Sequence, residues 1–166
     1  MPGLESCVGF LTYSDQAGKN RLMDWKTQIR IPVRFADVDL MGHVNNAKYV
    51  TYLEESRVAY FRQFPDLDFT KADYVPGYSV IVASLKLDYR SPAYLNETLV
   101  IGLGATELRR SSFSLEYTVE EEKSRRLVAT ASTVMVYFDY KAQKSCEIPG
   151  PLRKRFEEVE GRSFPK

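Results

Sequence analysis

The stretch that decides the fold is RFADVDLMGHVNNAKY, at residues 34–49. Just before it, over residues 28–35, apolar and polar residues alternate with the period of two that a half-buried β-strand shows. Over Asn46–Phe64, apolar side chains recur every three or four residues, as on one face of an α-helix. The stretch therefore joins a strand to a long helix. One of its two adjacent asparagines is the natural N-cap, and Pro65 is predicted to end the helix.

Four further runs are rich in alternating or continuous apolar residues, and they lie at about 81–90, 99–105, 113–119 and 127–138. The breaks between them are short, so neighbouring strands are expected to run antiparallel, as a meander of four strands. The last run is apolar on both faces, which predicts a central position in the sheet or contact with a partner. A one-sided apolar sheet must be covered by the only long helix. The predicted fold class is α+β, with an antiparallel five-stranded sheet around one long central helix.

The flanking segments carry weaker signals. Residues 1–25 show no sustained period and are expected to be an N-terminal extension to a single domain at 26–160. Residues 66–77 form a long polar connection of the kind that often serves as a lid. A short helix is predicted at 151–160, because a proline is tolerated in a first helical turn.

Charge and composition exclude several classes of function. The chain has 166 residues with 23 Lys and Arg against 22 Asp and Glu, so it lacks the basic surface that nucleic-acid binding needs. No apolar run approaches the roughly 20 residues of a membrane span, and no signal peptide is evident, so a cytoplasmic location is expected. The single histidine, His43, and the two cysteines, Cys7 and Cys146, cannot form a usual zinc site. We expect free thiols and no metal.

The turn between strand and helix combines two features that acyl-transfer chemistry uses. The start of a helix presents unpaired N–H groups and a partial positive charge, which can polarise a carbonyl. Asp39 lies a few residues before that start, on a turn that contains Gly42. A carboxylate there can face the same carbonyl carbon from the other side.

The motif Phe35-x-Asp37-x-Asp39-x-x-Gly42-x-Val44-x-x-x-x-Tyr49 resembles the signature of the 4-hydroxybenzoyl-coenzyme A thioesterase family of hot-dog-fold proteins. The variant GHVNNA at 42–47, with LEESR at 53–57, is similar to the branch that handles fatty acyl thioesters. The resemblance covers about residues 26–140. It implies a hot-dog fold and the hydrolysis of acyl-CoA to free acid and coenzyme A, without a cofactor.

By the same resemblance, Asp39 is the catalytic carboxylate, acting either as general base on water or as nucleophile toward the thioester. A backbone N–H near Asn46 would polarise the thioester carbonyl, and a thiolate leaves with little acid assistance. The residues expected to bind substrate are His43, Asn45, Asn46 and Tyr49. The family pairs two sheets edge to edge with each site between two subunits, so a homodimer or homotetramer is expected.

Structural alternatives remain open for these residues. Asp39 could be only a turn or capping carboxylate, and Asp37 fits a structural role better. His43 could bond a backbone group inside the turn. Glu54 and Glu55 lie on the helix from which a sister group of thioesterases takes its catalytic carboxylate, although charges at this spacing are more often solvated or interfacial. Six basic residues could meet the coenzyme's phosphates or simply be solvated, namely Lys86, Arg90, Arg109, Arg110, Lys123 and Arg125.

Two other functions are compatible with the fold. One is a non-catalytic module that binds acyl thioesters or acyl chains, which saturable binding without turnover would reveal. The other is a hot-dog hydratase or dehydratase, but these pair a histidine with a carboxylate in other motifs. The single His43 in this turn argues against that reaction.

Overall fold

The computed structural model describes residues 25–67 and 78–165. The predicted N-terminal extension up to residue 24, with Cys7, and residues 68–77 of the predicted lid lie outside these ranges. In chain order the helices and strands are β1 (Thr27–Pro32), α1 (Asn46–Phe61), β2 (Tyr78–Tyr89), β3 (Thr98–Leu108), β4 (Ser112–Glu121), β5 (Leu127–Asp139), β6 (Lys144–Ser145) and α2 (Gly150–Glu160). Short 3-10 turns lie at Phe35–Asp37 and Pro65–Leu67.

The described strands form one antiparallel sheet in the order β1-β3-β4-β5-β2, with β6 pairing with β5. The predicted antiparallel pairing is confirmed, but the predicted meander of the four later strands is wrong: β2 pairs with β5 instead of β3, because β3 pairs with β1. The strand that is apolar on both faces, β5, lies between β4 and β2, as its pattern predicted. Because β1 pairs with β3, β2 is left as the outer strand on the other side of the described sheet.

The core lies between α1 and the inner face of the sheet, and α1 contacts both β1 and β3. Buried side chains of α1 meet alternating buried residues of the central strands. The fully buried ones with the largest side chains include Tyr52, Leu53, Tyr60, Phe61, Leu99, Ile101, Leu103, Phe113 and Tyr117. Burial of this apolar surface, at about 25 cal/mol per Å², is the main term that holds α1 inside the sheet.

The second helix, α2, closes one end of the core through aromatic contacts. The ring of Phe156 lies 4.5 Å from that of Phe64 and 4.7 Å from that of Phe113, measured between centroids. The short C-terminal helix with a proline in its first turn is confirmed. The predicted fold class is therefore only partly right. It had one helix and five strands, whereas the described residues form two α-helices and a six-stranded sheet.

Three local predictions are wrong. The first helix ends at Phe61 rather than Phe64, because the chain tightens there into a turn in which Phe64 N donates to the Phe61 carbonyl at 2.9 Å. Phe35 was predicted to face inward along the first strand, but β1 ends at Pro32 and the Phe35 side chain is 83% exposed. Val50, predicted on the buried helix face, is 41% exposed.

The alternation predicted for β2 is also interrupted. Its register against β5 shifts between Val82 and Ser84, which is a β-bulge. A bulge places one extra residue in one strand and reverses the faces that follow it. As a result Val82 and Leu85, which a regular strand would place on opposite faces, both lie on the face of their β5 partners Met135 and Thr133.

The outer face of β3 is packed by Trp25, the last residue assigned to the extension. Its indole Nε1 donates to the Thr118 hydroxyl at 2.9 Å. A Cβ atom at Gly104 would lie 2.9 Å from the indole ring, and one at Gly102 would lie closer still, so the ring needs these glycines. The small positions that alternate with apolar ones in β3 are thus explained by close packing on the outer face.

None of the helices in the two described ranges is long and apolar enough to cross a membrane.

Candidate active site

The loop from β1 to α1 is anchored by the carboxylate of Asp37, which is completely buried. It accepts hydrogen bonds from the backbone N, Nε and Nη2 of Arg34, each at 3.0 Å. The Lys48 ammonium lies 3.9 Å away. The hydrogen bonds from Arg34 lower the pKa of Asp37 to about 2. Burial, and then the Asp37 carboxylate beside it, raise the pKa of Tyr52. A fixed negative charge therefore ties the end of β1 to the first turns of α1.

Asp39 lies at the start of the tight turn that follows this anchor. Its N–H donates to the His43 carbonyl at 3.1 Å, and its carbonyl accepts from Gly42 N at 3.0 Å. One carboxylate oxygen, Oδ1, accepts from Met41 N at 2.9 Å. Gly42 has a φ of +82° with no atom within 4 Å of a would-be Cβ, so the backbone conformation rather than crowding favours glycine there.

Asn45 is the N-cap of α1 and also contacts Asp39. Its Oδ1 accepts from Ala47 N at 3.0 Å, which satisfies one of the free amides of the first turn. Its Nδ2 donates to Asp39 Oδ2 at 3.3 Å. Its backbone N donates to the Asp37 carbonyl at 2.8 Å. The capping residue thus links the anchor, the exposed carboxylate and the helix.

A cavity of about 550 Å³ opens in front of this turn, within the roughly 300–1,000 Å³ usual for small-molecule sites. Its walls come from the turn, the first residues of α1 and the end of β2 with the segment after it. The lining residues are Asp39, His43, Val44, Asn46, Tyr49, Tyr89, Arg90, Ser91 and Pro92. The Asn46 N–H has no acceptor within the part of the chain that the structure describes. Asp39 and the residue with the unpaired helix amide, Asn46, therefore line the same cavity.

The structure brings together four of the five predicted site residues at this cavity, namely Asp39, His43, Asn46 and Tyr49. The fifth, Asn45, is not among the lining residues. It caps α1 and donates a hydrogen bond to Asp39. The imidazole Nδ1 of His43 lies 3.4 Å from the Val44 carbonyl oxygen, a contact inside the turn.

Most of the other candidate residues from the sequence are not among those that line the cavity. Glu54 and Glu55 are exposed on α1 and are not among the residues that line the cavity. Of the six candidate basic residues, only Arg90 lines it.

The wall opposite the turn, which β2 and the segment after it supply, could not be predicted from the sequence. The Tyr89 ring packs edge-on against Tyr49, with 5.2 Å between centroids and 76° between ring planes. Burial raises the pKa of Tyr49 to about 12, so its hydroxyl stays neutral. Val44 N donates to the Ala93 carbonyl at 2.8 Å, which joins the two walls. The only sequence signal near this wall was the end of the strand predicted at about 81–90, followed by Ser91 and Pro92.

Arg126 holds this second wall in place from the turn before β5. Its guanidinium donates to the Ser91 hydroxyl at 2.9 Å and to the Pro92 carbonyl. It also pairs with Glu97 at 2.6 Å. Three contacts from one planar group restrict the segment after β2 more than any one of them could.

An antiparallel sheet curled round a helix, with a carboxylate and a free helix amide at one cavity, defines a hot-dog protein with a site suited to acyl-group chemistry. The chain belongs to the Thioesterase-like superfamily, whose family model matches residues 33–156. The recognition of a hot-dog thioesterase family from the motif is confirmed.

Individual relatives agree with this membership. The chain is 30% identical over 132 residues to the long-chain acyl-CoA thioesterase FadM of Escherichia coli (strain K12), covering 80% of this chain and 98% of that protein. It is 25% identical over 129 residues to the 1,4-dihydroxy-2-naphthoyl-CoA hydrolase of Synechococcus elongatus, covering 76% and 91%. Among solved structures, a Thermus thermophilus thioesterase complexed with coenzyme A and zinc is similar with a TM-score of 0.72 and 28% identity, covering 85% and 99%.

Proposed function

We propose that this protein hydrolyses acyl-CoA thioesters to the free acid and coenzyme A, with Asp39 as the catalytic carboxylate. The observation that carries the proposal is that one cavity is lined by Asp39 and by Asn46, whose backbone N–H has no acceptor among the described residues. Relatives described as acyl-CoA hydrolases, and a similar thioesterase structure that holds coenzyme A, support the choice of substrate class.

The proposed reaction begins with the thioester carbonyl accepting a hydrogen bond from the Asn46 N–H. The positive end of the α1 dipole then stabilises the charge that develops on the carbonyl oxygen. Asp39 acts on the carbonyl carbon, either by taking a proton from the attacking water or by attacking directly to form an anhydride that water then opens. The coenzyme leaves as a thiolate, which needs little proton donation because a thiol has a pKa near 8.5.

The remaining lining residues have simpler roles in this proposal. His43 and Tyr49 contact the acyl thioester at the cavity wall, whereas Asn45 acts on substrate only through the Asp39 carboxylate and the helix cap. The pairing of Asp39 Oδ1 with Met41 N keeps one oxygen engaged in the turn. Among the described residues the other oxygen, Oδ2, has only the long 3.3 Å contact with Asn45, and it is the one offered to substrate or water.

The test is Asp39→Asn, assayed by thiol release from a panel of acyl-CoA esters of different chain length and aromatic character. We expect kcat to fall by about 10²–10⁴, the usual contribution of a general acid or base. The introduced amide keeps an oxygen that can still accept from Met41 N, so the fold should persist.

Asp139→Asn is the matched control, because Asp139 Oδ1 accepts from Lys141 N at 2.9 Å in a similar turn that does not line the cavity. Its rate should equal that of the parent. Equal rates for Asp39→Asn and parent would refute the role of Asp39. Saturable acyl-CoA binding by a parent without turnover would instead identify a binding module. Hydroxylamine trapping of an acyl group on the parent would favour the nucleophile over the base.

We also propose that two copies of the chain pair along β2. This strand is 12 residues long and is the outermost on its side of the described sheet. An exposed strand edge is a template for pairing with another chain. Val82 and Leu85 expose 46% and 37% of their surface on it, and its last residue, Tyr89, lines the cavity. A second copy on this edge would therefore lie beside the site, in a homodimer or a tetramer of two such dimers.

A further inference from the structure

Tyr89 makes a specific contact that its exposure alone would not require. The residue ends β2, and 51% of its surface is exposed. Its hydroxyl nevertheless donates to the Asn46 carbonyl oxygen at 2.9 Å. A hydroxyl at such a position could bond water instead. The bond joins the edge strand to the first residue of α1, 43 positions away in the chain.

The Asn46 carbonyl can take this bond without leaving the helix. In an α-helix the carbonyl of one residue accepts from the N–H four residues later, which here is Val50. A carbonyl has two lone pairs, so Tyr89 supplies a second donor. The residue is thereby held from β2 on one side, while Asn45 before it is held by the Asp37 carbonyl on the other.

The position of Asn46 matters because its N–H is the proposed donor to the thioester carbonyl. Catalytic donors must be held within about 0.5 Å and 10–20° of the productive geometry to be effective. The first turn of a helix otherwise has fewer internal bonds than its middle and frays easily. The Tyr89 ring, packed edge-on against Tyr49, keeps the hydroxyl directed at this turn.

We infer that Tyr89 is a positioning residue, whose hydroxyl fixes the first residue of α1 so that its amide points at the carbonyl of the bound thioester. This inference rests on the proposed function. The end of β2 then positions the donor amide of α1 as well as forming a wall of the cavity.

The experiment compares Tyr89→Phe, which removes only the hydroxyl, with the parent. We expect kcat to fall about three- to tenfold, the range that one neutral hydrogen bond supplies, while KM stays within about twofold. Tyr140→Phe is the matched control, because Tyr140 is also partly exposed but does not line the cavity. It should retain the parent's kcat and KM.

A spectroscopic measurement separates positioning from a general loss of stability. The infrared carbonyl stretch of a ¹³C-labelled acyl-CoA is recorded when bound to Asp39→Asn and to the double variant with Tyr89→Phe. The stretch should move to lower frequency on binding, since a hydrogen bond weakens the carbonyl. The shift should be smaller when the Tyr89 hydroxyl is absent.

An unchanged kcat with an unchanged stretch would overturn the inference, and so would a rise in KM at constant kcat. If Asp39→Asn were inactive while Tyr89→Phe matched the parent, only the role of Tyr89 would fail. If the parent hydrolysed no acyl-CoA, the proposed function would fail and this inference with it.

Discussion

Asp37 and Asp39 are two residues apart and look alike in the sequence, yet their surroundings differ completely. The 3-10 turn at Phe35–Asp37 points the first carboxylate into the protein, against Arg34, whereas the second is partly exposed at the cavity. The interpretation of Asp37 as structural agrees with its burial. The motif indicated that Asp39 rather than Asp37 faces the cavity, and the turn explains why.

Asp37→Asn is expected to destabilise the fold. Its carboxylate accepts three hydrogen bonds from Arg34, and loss of charge-assisted bonds costs about 1.5–3 kcal/mol in the free energy of unfolding. Urea unfolding at neutral pH measures this difference. Glu107→Gln is the control, because its pair with Arg109 is exposed and screened by solvent, so its loss should change stability far less. Equal losses in the two variants would contradict the anchor role.

The same anchor predicts a pH dependence of stability. The pKa of Asp37 is lowered from 3.8 to about 2 in the folded protein, so its contribution is complete above pH 3.8. It is lost as the pH falls from there toward about 2, because the unfolded chain then binds the proton more tightly than the folded one. The difference in unfolding free energy between parent and Asp37→Asn should shrink over that interval. A constant difference would mean that the charge is not responsible.

At the scale of helices and strands, regular patterns were enough to predict most elements. The antiparallel pairing and α2 follow from short turns and a proline position. The strand order does not, because a meander of the four later strands would pair β2 with β3, whereas β3 pairs with β1 and β2 crosses to β5. The bulge in β2 could not be predicted, because it depends on the register of β5 across the sheet. The end of α1 was placed three residues late, because Phe64 continues the apolar spacing although its backbone has already left the helix.

The packing of α2 depends on one carboxylate at a β-bulge. Ala105 lies beyond Thr27–Leu103, the last pair of the β1–β3 ladder, and the register of β3 shifts just after it. Glu160 Oε1 accepts hydrogen bonds from Ala105 N at 2.8 Å and from the hydroxyl of the buried Tyr60 at 2.5 Å. Glu160, at the end of α2, thus gives the Ala105 N–H the acceptor that a longer β1 would otherwise supply.

Glu160→Ala is therefore expected to lower the free energy of unfolding by about 1–3 kcal/mol, the cost of leaving buried donors unsatisfied. The measurement is denaturant unfolding at neutral pH. Glu158→Ala on the same helix removes only an exposed pair with Arg155 and should change stability by less than about 0.5 kcal/mol. Similar values for the two variants would show that the contacts of Glu160 do not support the fold.

For the molecule as a whole, one wall of the cavity could be predicted from the sequence and the opposite wall could not. The turn and the helix start are contiguous in sequence, so one motif located Asp39, His43, Asn46 and Tyr49. The opposite wall comes from a segment some 40 residues later. Its approach depends on how β2 pairs with β5 and on the contacts of Arg126, neither of which leaves a local pattern.

Pairing along β2 predicts that charge on this edge disrupts assembly. Glutamates in place of both Val82 and Leu85 would place like charges opposite each other across two paired copies, which is unfavourable. Light scattering after size exclusion should show a shift toward the monomer, with a loss of activity because the site lies beside the edge. Leu95→Glu adds charge at an exposed loop position and should leave the assembly unchanged. A double variant of unaltered mass would rule out this edge.

The chain contains a single tryptophan, and it sits over Gly102 and Gly104 on the side of β3 that faces away from α1. Native fluorescence excited at the indole band therefore originates from one site on the back of the sheet. Its emission is an internal reporter of whether that layer is intact, and it is separated from the reaction cavity by the sheet itself.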